Sequence, residues 1–281
     1  MFKIIRKKRL NPSVTLMEVA APFIAKKAQP GQFIILRVDE YGERIPLTIA
    51  DFDQQQGTVT IIYQIVGKTT KLLDSLEEGD FIKDFVGPLG EATHHHEVKK
   101  VCVIGGGVGC AIAYPQAKAL FNQGVDVDVI TGFRNKEIVI LESEFKQVSN
   151  RLFICTDDGS YGEKGLVTQV LSHLIEEGNH YDLVIAIGPI PMMKFVAKTT
   201  EPHHIKTIVS LNPIMIDGTG MCGGCRVIVN QETKFACIDG PDFDGHLVDF
   251  DDLIRRNQTY KVQEQVENNK PCRLTGGVCH G

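Results

Sequence analysis

Three cysteines and one aspartate in the last quarter of the chain constrain its fold more than any other feature. They are Asp217, Cys222, Cys225 and Cys237, spaced Asp-x4-Cys-x2-Cys-x11-Cys. Side chains this close in sequence meet at one centre only if the backbone between them loops. Gly218, Gly220, Gly223 and Gly224 allow that looping, because glycine reaches conformations closed to other residues. The stretch after Cys225, residues 226–237, reads as a short hairpin.

Clustered thiols in a chain of this length are better explained as cofactor ligands than as disulfides. Plant-type 2Fe–2S sites use Cys-x4-Cys-x2-Cys and a distant fourth cysteine. This chain keeps that spacing with Asp217 in the first position, and the glycines let amides turn toward the sulfides. Zinc is the rival, but it prefers paired Cys-x2-Cys knuckles and closed Cys/His shells. Only one such pair occurs here. The spacing predicts a 2Fe–2S cluster on Cys222, Cys225 and Cys237. The fourth ligand has competing candidates. Asp217 has the right spacing, and its carboxylate carries a thiolate's charge as a harder donor. Asp217-Gly218 is also an ordinary turn signal, and Cys272 or Cys279 would serve if the tail folds back. Asp217 is the expected ligand.

The remainder divides by pattern. The chain has 281 residues, against a usual ~100–200 per domain. Residues 1–98 carry short apolar runs at Val14–Val19, Phe33–Val38, Thr58–Ile65 and Phe81–Phe85, separated by turn signals such as Pro30-Gly31 and Gly79-Asp80. That spacing predicts an antiparallel β-barrel. From residue 99 to 212, strands at Val101–Ile104, Val125–Thr131, Leu152–Cys155 and Leu183–Ile187 alternate with helical stretches, which predicts a parallel sheet. Residues 213–281 form a small cysteine module with a helix near Asp249–Arg256 and a polar tail. His94, His95 and His96 read as a solvated linker, since consecutive residues cannot share one face.

Composition excludes some partners. A net charge of −5 without a basic stripe argues against nucleic acid. No apolar run approaches the ~20 residues of a membrane helix, and the basic N-terminus lacks the apolar run of a signal peptide. A cytoplasmic location is expected.

Three segments of the α/β region suit a dinucleotide. Gly105, Gly106, Gly107, Val108 and Gly109 follow a strand and open a helix, where backbone amides and the helix dipole favour phosphate. The loop departs from Gly-x-Gly-x-x-Gly, and alone it equally fits a tight turn. Asp126 and Asp128 fall near the ~20-residue distance of a ribose-binding acid, or face solvent. Asp157 and Asp158, and then Gly188, Pro189 and Met192, follow two further strands. Ligands of open α/β sheets sit at these carboxyl ends. Arg134, just after Gly132-Phe133, faces either a 2′-phosphate or solvent.

In the β region, Arg44, Pro46, Leu47 and Thr48 open one strand. Tyr63, Gln64, Ile65, Gly67, Thr69 and Thr70 close another. An Arg and hydroxyls at strand ends hold phosphate, and an aromatic stacks on a ring.

This order of modules resembles the ferredoxin–NADP reductase superfamily over roughly residues 1–212. The resemblance implies FAD on the barrel, held by Thr48, Tyr63 and Thr70, and NAD(H) on the α/β region. The superfamily motif is Arg-Pro-x-Ser/Thr. Here Ile45 intervenes, so the phosphate role falls more on Thr48 than on Arg44. With the cysteine module and Cys237-Ile-Asp-Gly-Pro-Asp-Phe243, the whole is similar to electron-transfer subunits of dihydroorotate dehydrogenase, which have Cys in place of Asp217. The stretches Glu43-Arg-Ile-Pro-Leu-Thr-Ile-Ala-Asp51, Asp157-Asp-Gly-Ser-Tyr-Gly162 and Asp217-Gly-Thr-Gly-Met-Cys222 resemble more closely a sister group. That group comprises the small subunits of NADH-dependent ferredoxin:NADP+ oxidoreductases, also called sulfide dehydrogenase subunits.

The likeness implies an oxidoreductase that passes hydride from NADH to FAD, then single electrons to the cluster and on to a large partner subunit, in either direction. The partner would carry another FAD and 4Fe–4S clusters, bifurcate electrons and exchange them with ferredoxin. No acid–base side chain is required, so none is named as catalytic. Two alternatives stand: the dihydroorotate dehydrogenase subunit, and a non-catalytic regulatory subunit that binds a nucleotide.

Overall fold

The computed structural model of the chain describes residues 1–93 and 97–268. The histidines at 94–96 and the cysteines Cys272 and Cys279 lie outside the described residues.

The first elements are β1 (Phe2–Asn11), β2 (Val14–Ala20), α1 (Pro22–Ala25), β3 (Phe33–Arg37), β4 (Ile45–Asp53), β5 (Thr58–Gln64), α2 (Lys68–Asp74), β6 (Phe81–Ile82) and β7 (Asp84–Leu89). The strands form one antiparallel sheet in the order β6-β1-β2-β5-β4-β3-β7. Lys83 alone separates β6 from β7, so the two edges of this order adjoin in the chain and the sheet curls into the expected barrel. Alternation sorts its side chains. Met17 and Val19 of β2, Ile34 and Leu36 of β3, and Val59 and Ile61 of β5 fill the barrel.

β1 and α2 were not among the expected runs. β1 alternates too many lysines and arginines to read as apolar, yet Ile4 is fully buried and the strand pairs with β2 from Asn11↔Val14 to Ile4↔Val19. The stretch after β5 turns helical because Thr70 caps it. The Thr70 hydroxyl accepts the amides of Val66 and Gly67, and Leu73 plugs the barrel one turn later.

The second region runs β8 (Lys100–Gly106), α3 (Cys110–Asn122), β9 (Asp126–Phe133), α4 (Glu142–Gln147), β10 (Arg151–Thr156), β11 (Glu163–Lys164), α5 (Val167–Glu176), β12 (Leu183–Ile187), α6 (Ile190–Thr200) and β13 (Lys206–Ser210). The hairpin β14 (Arg226–Val229) and β15 (Glu232–Phe235) follows, then β16 (Asp242–Asp244), α7 (Phe250–Arg256) and α8 (Lys261–Asn268). Strands pair in the order β11-β10-β9-β8-β12-β13-β16, parallel except that β16 joins β13 antiparallel. From β8 the chain builds outward through β9 and β10, then returns to place β12 and β13 on the other side. The order therefore reverses between β8 and β12, and in such sheets this switch point is where ligands bind. Val101–Ile104 and Leu183–Ile187 are at most 1% exposed, because helices cover both faces of these central strands.

The barrel meets its neighbours on two flanks. Val14, Ala50 and Ile62 share a core with Cys110, Ala111 and Ala113 of α3. Phe33 and Ile35 of β3 share another with Met215, Cys225, Val227 and Cys237. Among the described residues, no helix is long and apolar enough to cross a membrane.

Candidate functional site

The cysteine loop is built on the β14–β15 hairpin. Asn230 and Gln231 make its turn with φ of 51° and 63°, the pattern of a tight hairpin turn. Cys225 precedes β14 and Cys237 follows β15, so the hairpin brings them together. Their Sγ atoms are 3.2 Å apart and both residues are buried. Burial pushes the Cys237 thiol up to about 12, with Cys225 adding to the effect. Cys222 is exposed and behaves oppositely. The Gly224 amide donates to its sulfur at 3.4 Å, and neighbouring backbone amides add to the effect, holding the thiol below its usual range.

Asp217 closes the same loop. Its Oδ2 accepts from the Thr219 amide at 2.9 Å, the Thr219 hydroxyl at 2.5 Å and the Met221 amide at 3.2 Å. The Thr219 bonds are the main reason its carboxyl lies below the usual carboxylate range. Gly218, at φ +81°, lies flat on the barrel, where a Cβ would stand 2.7 Å from Ile35 and 3.2 Å from Leu89. The structure thus brings Asp217 and the three cysteines into one loop system. Among the described residues no three His, Cys, Asp or Glu are placed to hold a single metal ion. The close Cys225–Cys237 pair matches two ligands of one iron in a two-iron centre, whose ligands divide between two irons.

Arg44 does not point at open solvent. Its Nε donates to the Ile216 carbonyl at 3.2 Å, and its terminal nitrogen donates to the Asp217 carbonyl at 3.1 Å. Just beyond it, Pro46, Leu47 and Thr48 pair with Ile35, Ile34 and Phe33 and are half-buried. The segment after β5 lies near the same end of the barrel. Gln64 is exposed, and Ile65 and Gly67 are half-buried. Nothing lies within 4 Å of where a Gly67 Cβ would be. Thr69 is buried, with its hydroxyl on Glu43 at 3.0 Å, and the Thr70 hydroxyl is used in capping α2. Tyr63 corrects the expectation of a stacking aromatic. It is 1% exposed inside the barrel, with its hydroxyl directed at the Met17 sulfur. Its position in β5 points the ring inward, where no ligand ring can reach it.

The nucleotide candidates converge at the switch point. Gly106 and Gly188 are packed together, and a Cβ on Gly106 would stand 2.5 Å from the Met192 sulfur and 3.0 Å from Pro189. A Cβ on Gly109 would meet the Ile187 carbonyl at 2.5 Å, and one on Gly105 would meet the Cys110 sulfur at 2.8 Å. These glycines are demanded by contact between the chain segments themselves. Gly107, at φ +56° with nothing within 4 Å, is where the loop faces open space, followed by Val108. Arg134, Asp157 and Asp158 are exposed at the carboxyl ends of β9 and β10. The Asp157 amide donates to Phe133 O and the Asp158 amide to Arg134 O. Asp126 and Asp128 lie at the opposite, amino end of β9. Asp128 is fully buried and paired with Arg151 and Tyr181, so it is no ribose ligand.

Residues not foreseen tie these sites together. The Lys118 ammonium on α3 bonds both Asp51 oxygens on β4, at 2.8 and 2.7 Å. Asp242 accepts from Gln116 of α3 at 2.8 Å and from the Thr93 hydroxyl, joining β16, α3 and the end of the barrel. Only the Gly-Pro-Asp stretch before Phe243 hinted at Asp242. Asp51 only closed the stretch from Glu43 that carried a resemblance, and Lys118 carries no sequence signal.

Residues 212–249 match the family described as the iron-sulfur cluster binding domain of dihydroorotate dehydrogenase B. A Thermotoga maritima protein, a homolog of the dihydroorotate dehydrogenase B (NAD(+)) electron transfer subunit, is 43% identical over 98% of this chain and 96% of its own. A chain of the NADH-dependent reduced ferredoxin-NADP oxidoreductase, solved for insight into flavin-based electron bifurcation, superposes with a TM-score of 0.90. It is 42% identical and covers 95% of this chain and 96% of its own. An Amycolatopsis cytochrome P450 reductase shares the fold at 19% identity and a TM-score of 0.62, over 73% of this chain and 66% of that one. The chain belongs to the family of dihydroorotate dehydrogenase B electron-transfer subunits and their homologues, on a ferredoxin–NADP reductase-like fold.

Proposed function

We propose that this chain is the small, electron-transferring subunit of an NADH-dependent ferredoxin:NADP+ oxidoreductase, binding FAD, a 2Fe–2S cluster and NAD(H). The observation that carries the reading is that one strand is tied to both other regions. Lys118, on the helix that the glycine loop opens, bonds Asp51 near one end of β4, and Arg44 just before the other end bonds the cluster loop. A flavin seated along β4 lies between the nucleotide and the cluster. A bound flavin accepts a hydride's two electrons together and releases them singly, as an iron–sulfur centre requires.

In this reading the chain divides into a flavin barrel at 1–98, a nucleotide region at 99–212 and a cluster module at 213–281. Pro46, Leu47 and Thr48 seat the flavin with Gln64, Ile65 and Gly67, while Thr69 and Thr70 shape the turn beside it. The Gly105–Gly109 loop, with Gly188, Pro189 and Met192, holds the dinucleotide at the switch point. Arg134, Asp157 and Asp158 face its adenosine end. Cys225 and Cys237 are close enough to serve one iron, and Asp217 and Cys222 serve the other. Ile216, Met221 and Ile238 expose apolar surface around Cys222, at 52%, 87% and 50%. A larger subunit with its own FAD and 4Fe–4S clusters docks there, exchanges electrons with ferredoxin and carries out bifurcation. The buried thiols Cys102, Cys110 and Cys155 fit a reducing cytoplasm.

Anaerobic purification with the natural partner tests this. We expect FAD, iron and sulfide in this subunit, NADH-dependent bleaching of the flavin band, and a partner with 4Fe–4S clusters. A partner with an FMN barrel that oxidises dihydroorotate would overturn it. Absence of flavin and of any NADH response would leave the regulatory role instead.

A further inference from the structure

We infer that Arg44 is a positioning residue that clamps the cluster loop to the flavin strand and sets a positive charge at the loop's first residues. The inference rests on the flavin and cluster reading above. It departs from the phosphate role that the position of Arg44, just before Pro46 and Thr48, implies.

The guanidinium of Arg44 is committed elsewhere. Its Nε and terminal nitrogen bond two successive carbonyls, those of Ile216 and Asp217, at 3.2 and 3.1 Å. A guanidinium presents donors in a rigid fork, so two acceptors fixed by one side chain are fixed relative to each other. The loop needs such an anchor. It contains Gly218, Gly220, Gly223 and Gly224, which offer no side chains, and near Arg44 it also packs Gly218 on Ile35 and Leu89 of the barrel. Glycine gains the most freedom when a constraint is lost.

The clamp also fixes charge and orientation at the start of the loop. The Ile216 carbonyl belongs to the planar peptide that leads into Asp217, so holding it on Arg44 sets the direction in which the loop begins. The guanidinium also places a positive charge against the Ile216 and Asp217 carbonyls. Cluster potentials respond to net charge. The cation of Arg44 therefore favours the reduced, more negative cluster.

The test compares wild type, Arg44→Gln and Arg44→Lys in the complex purified anaerobically with its partner. The readouts are FAD content, the EPR spectrum of the reduced 2Fe–2S centre and its midpoint potential. Wild type lacking FAD or this EPR signal would refute the underlying reading. With both present, we expect Arg44→Gln to keep full FAD, to shift the EPR g-values and to lower the cluster potential. Arg44→Lys, which keeps the charge but loses the fork, should recover part of the potential. If Arg44→Gln cannot be isolated, Arg44→Lys decides alone through its shifted g-values. Loss of FAD with an unchanged cluster spectrum in either variant would assign Arg44 to the flavin phosphate and overturn the inference.

Discussion

The Sγ atoms of Cys225 and Cys237 lie 3.2 Å apart in the interior, held together by the bond from the Ala236 amide to the Cys225 carbonyl. Cys222 sits outside this pair, exposed and with its thiol below the ordinary range. Thiolate, not thiol, is the nucleophile. In the cluster-free protein, iodoacetamide should therefore modify Cys222 first among the six described cysteines. Cys237, pushed up to about 12 by burial, and the buried Cys102, Cys110, Cys155 and Cys225 should lag. Peptide mass spectrometry over a short time course reads the order, and the assembled cluster should protect Cys222.

Asp217 is the one oxygen donor in the proposed ligand set. Asp217→Cys should keep the cluster and change its EPR spectrum and potential, because a thiolate is a softer and more covalent donor. Asp217→Ala removes the proposed ligand and the acceptor of the Thr219 and Met221 amides together, and should release iron. An unchanged spectrum in Asp217→Cys, with cluster loss in Cys272→Ala or Cys279→Ala, would move the fourth ligand to the tail.

Gly109 stands against the last residue of β12, with a Cβ position 2.5 Å from the Ile187 carbonyl. Both sides of this contact are backbone, so neither yields easily. Gly109→Ala should destabilise the protein by about 1–3 kcal/mol, the usual cost of overpacking. It should also blunt flavin bleaching by NADH, because it pushes β8 and β12 apart at the switch point. Thermal melting and anaerobic titration check the two effects.

Asp128 is the buried charge of the α/β region. It accepts from Arg151 Nε at 2.8 Å and from the Tyr181 hydroxyl at 2.8 Å. Burial alone would raise its pKa, but the Arg151 and Tyr181 bonds outweigh it and hold the carboxyl below its ordinary value. The stabilisation is therefore complete well above the unfolded value of about 3.9. It is lost as pH falls through that value toward the lower folded one. Arg151→Met should cost stability at pH 7, at the low end of the ~3–5 kcal/mol for a broken buried pair because Arg151 reaches solvent. The difference from wild type should shrink below about pH 4. Urea unfolding at several pH values measures it.

Elements whose signal is local were legible in the sequence. The apolar runs of β8 and β12 announced central strands because both faces of those strands are covered. The hairpin and the cysteine spacing announced the cluster loop because ligand spacing is a property of the chain alone. β1 was hidden by its charged outer face. β13 and β16 were hidden because β16 is three residues long and counts as a strand only by pairing with β13. α6 begins inside a stretch that read as a ligand loop, since Pro189 and Pro191 belong equally to a turn and to a first helical turn.

The same division applies to the sites. Spacing by itself singled out candidate cluster ligands and showed where a glycine loop meets a helix, and apolar periodicity set the barrel before the parallel sheet. Tertiary structure decided what each polar group actually faces. Asp128 turned inward to Arg151, Tyr63 into the barrel, and Arg44 onto the carbonyls of Ile216 and Asp217, 172 and 173 residues away. The reason is physical. Chemical type and short-range spacing are written in the chain, but a hydrogen bond's partner is chosen among groups brought near by packing of apolar faces far apart in sequence.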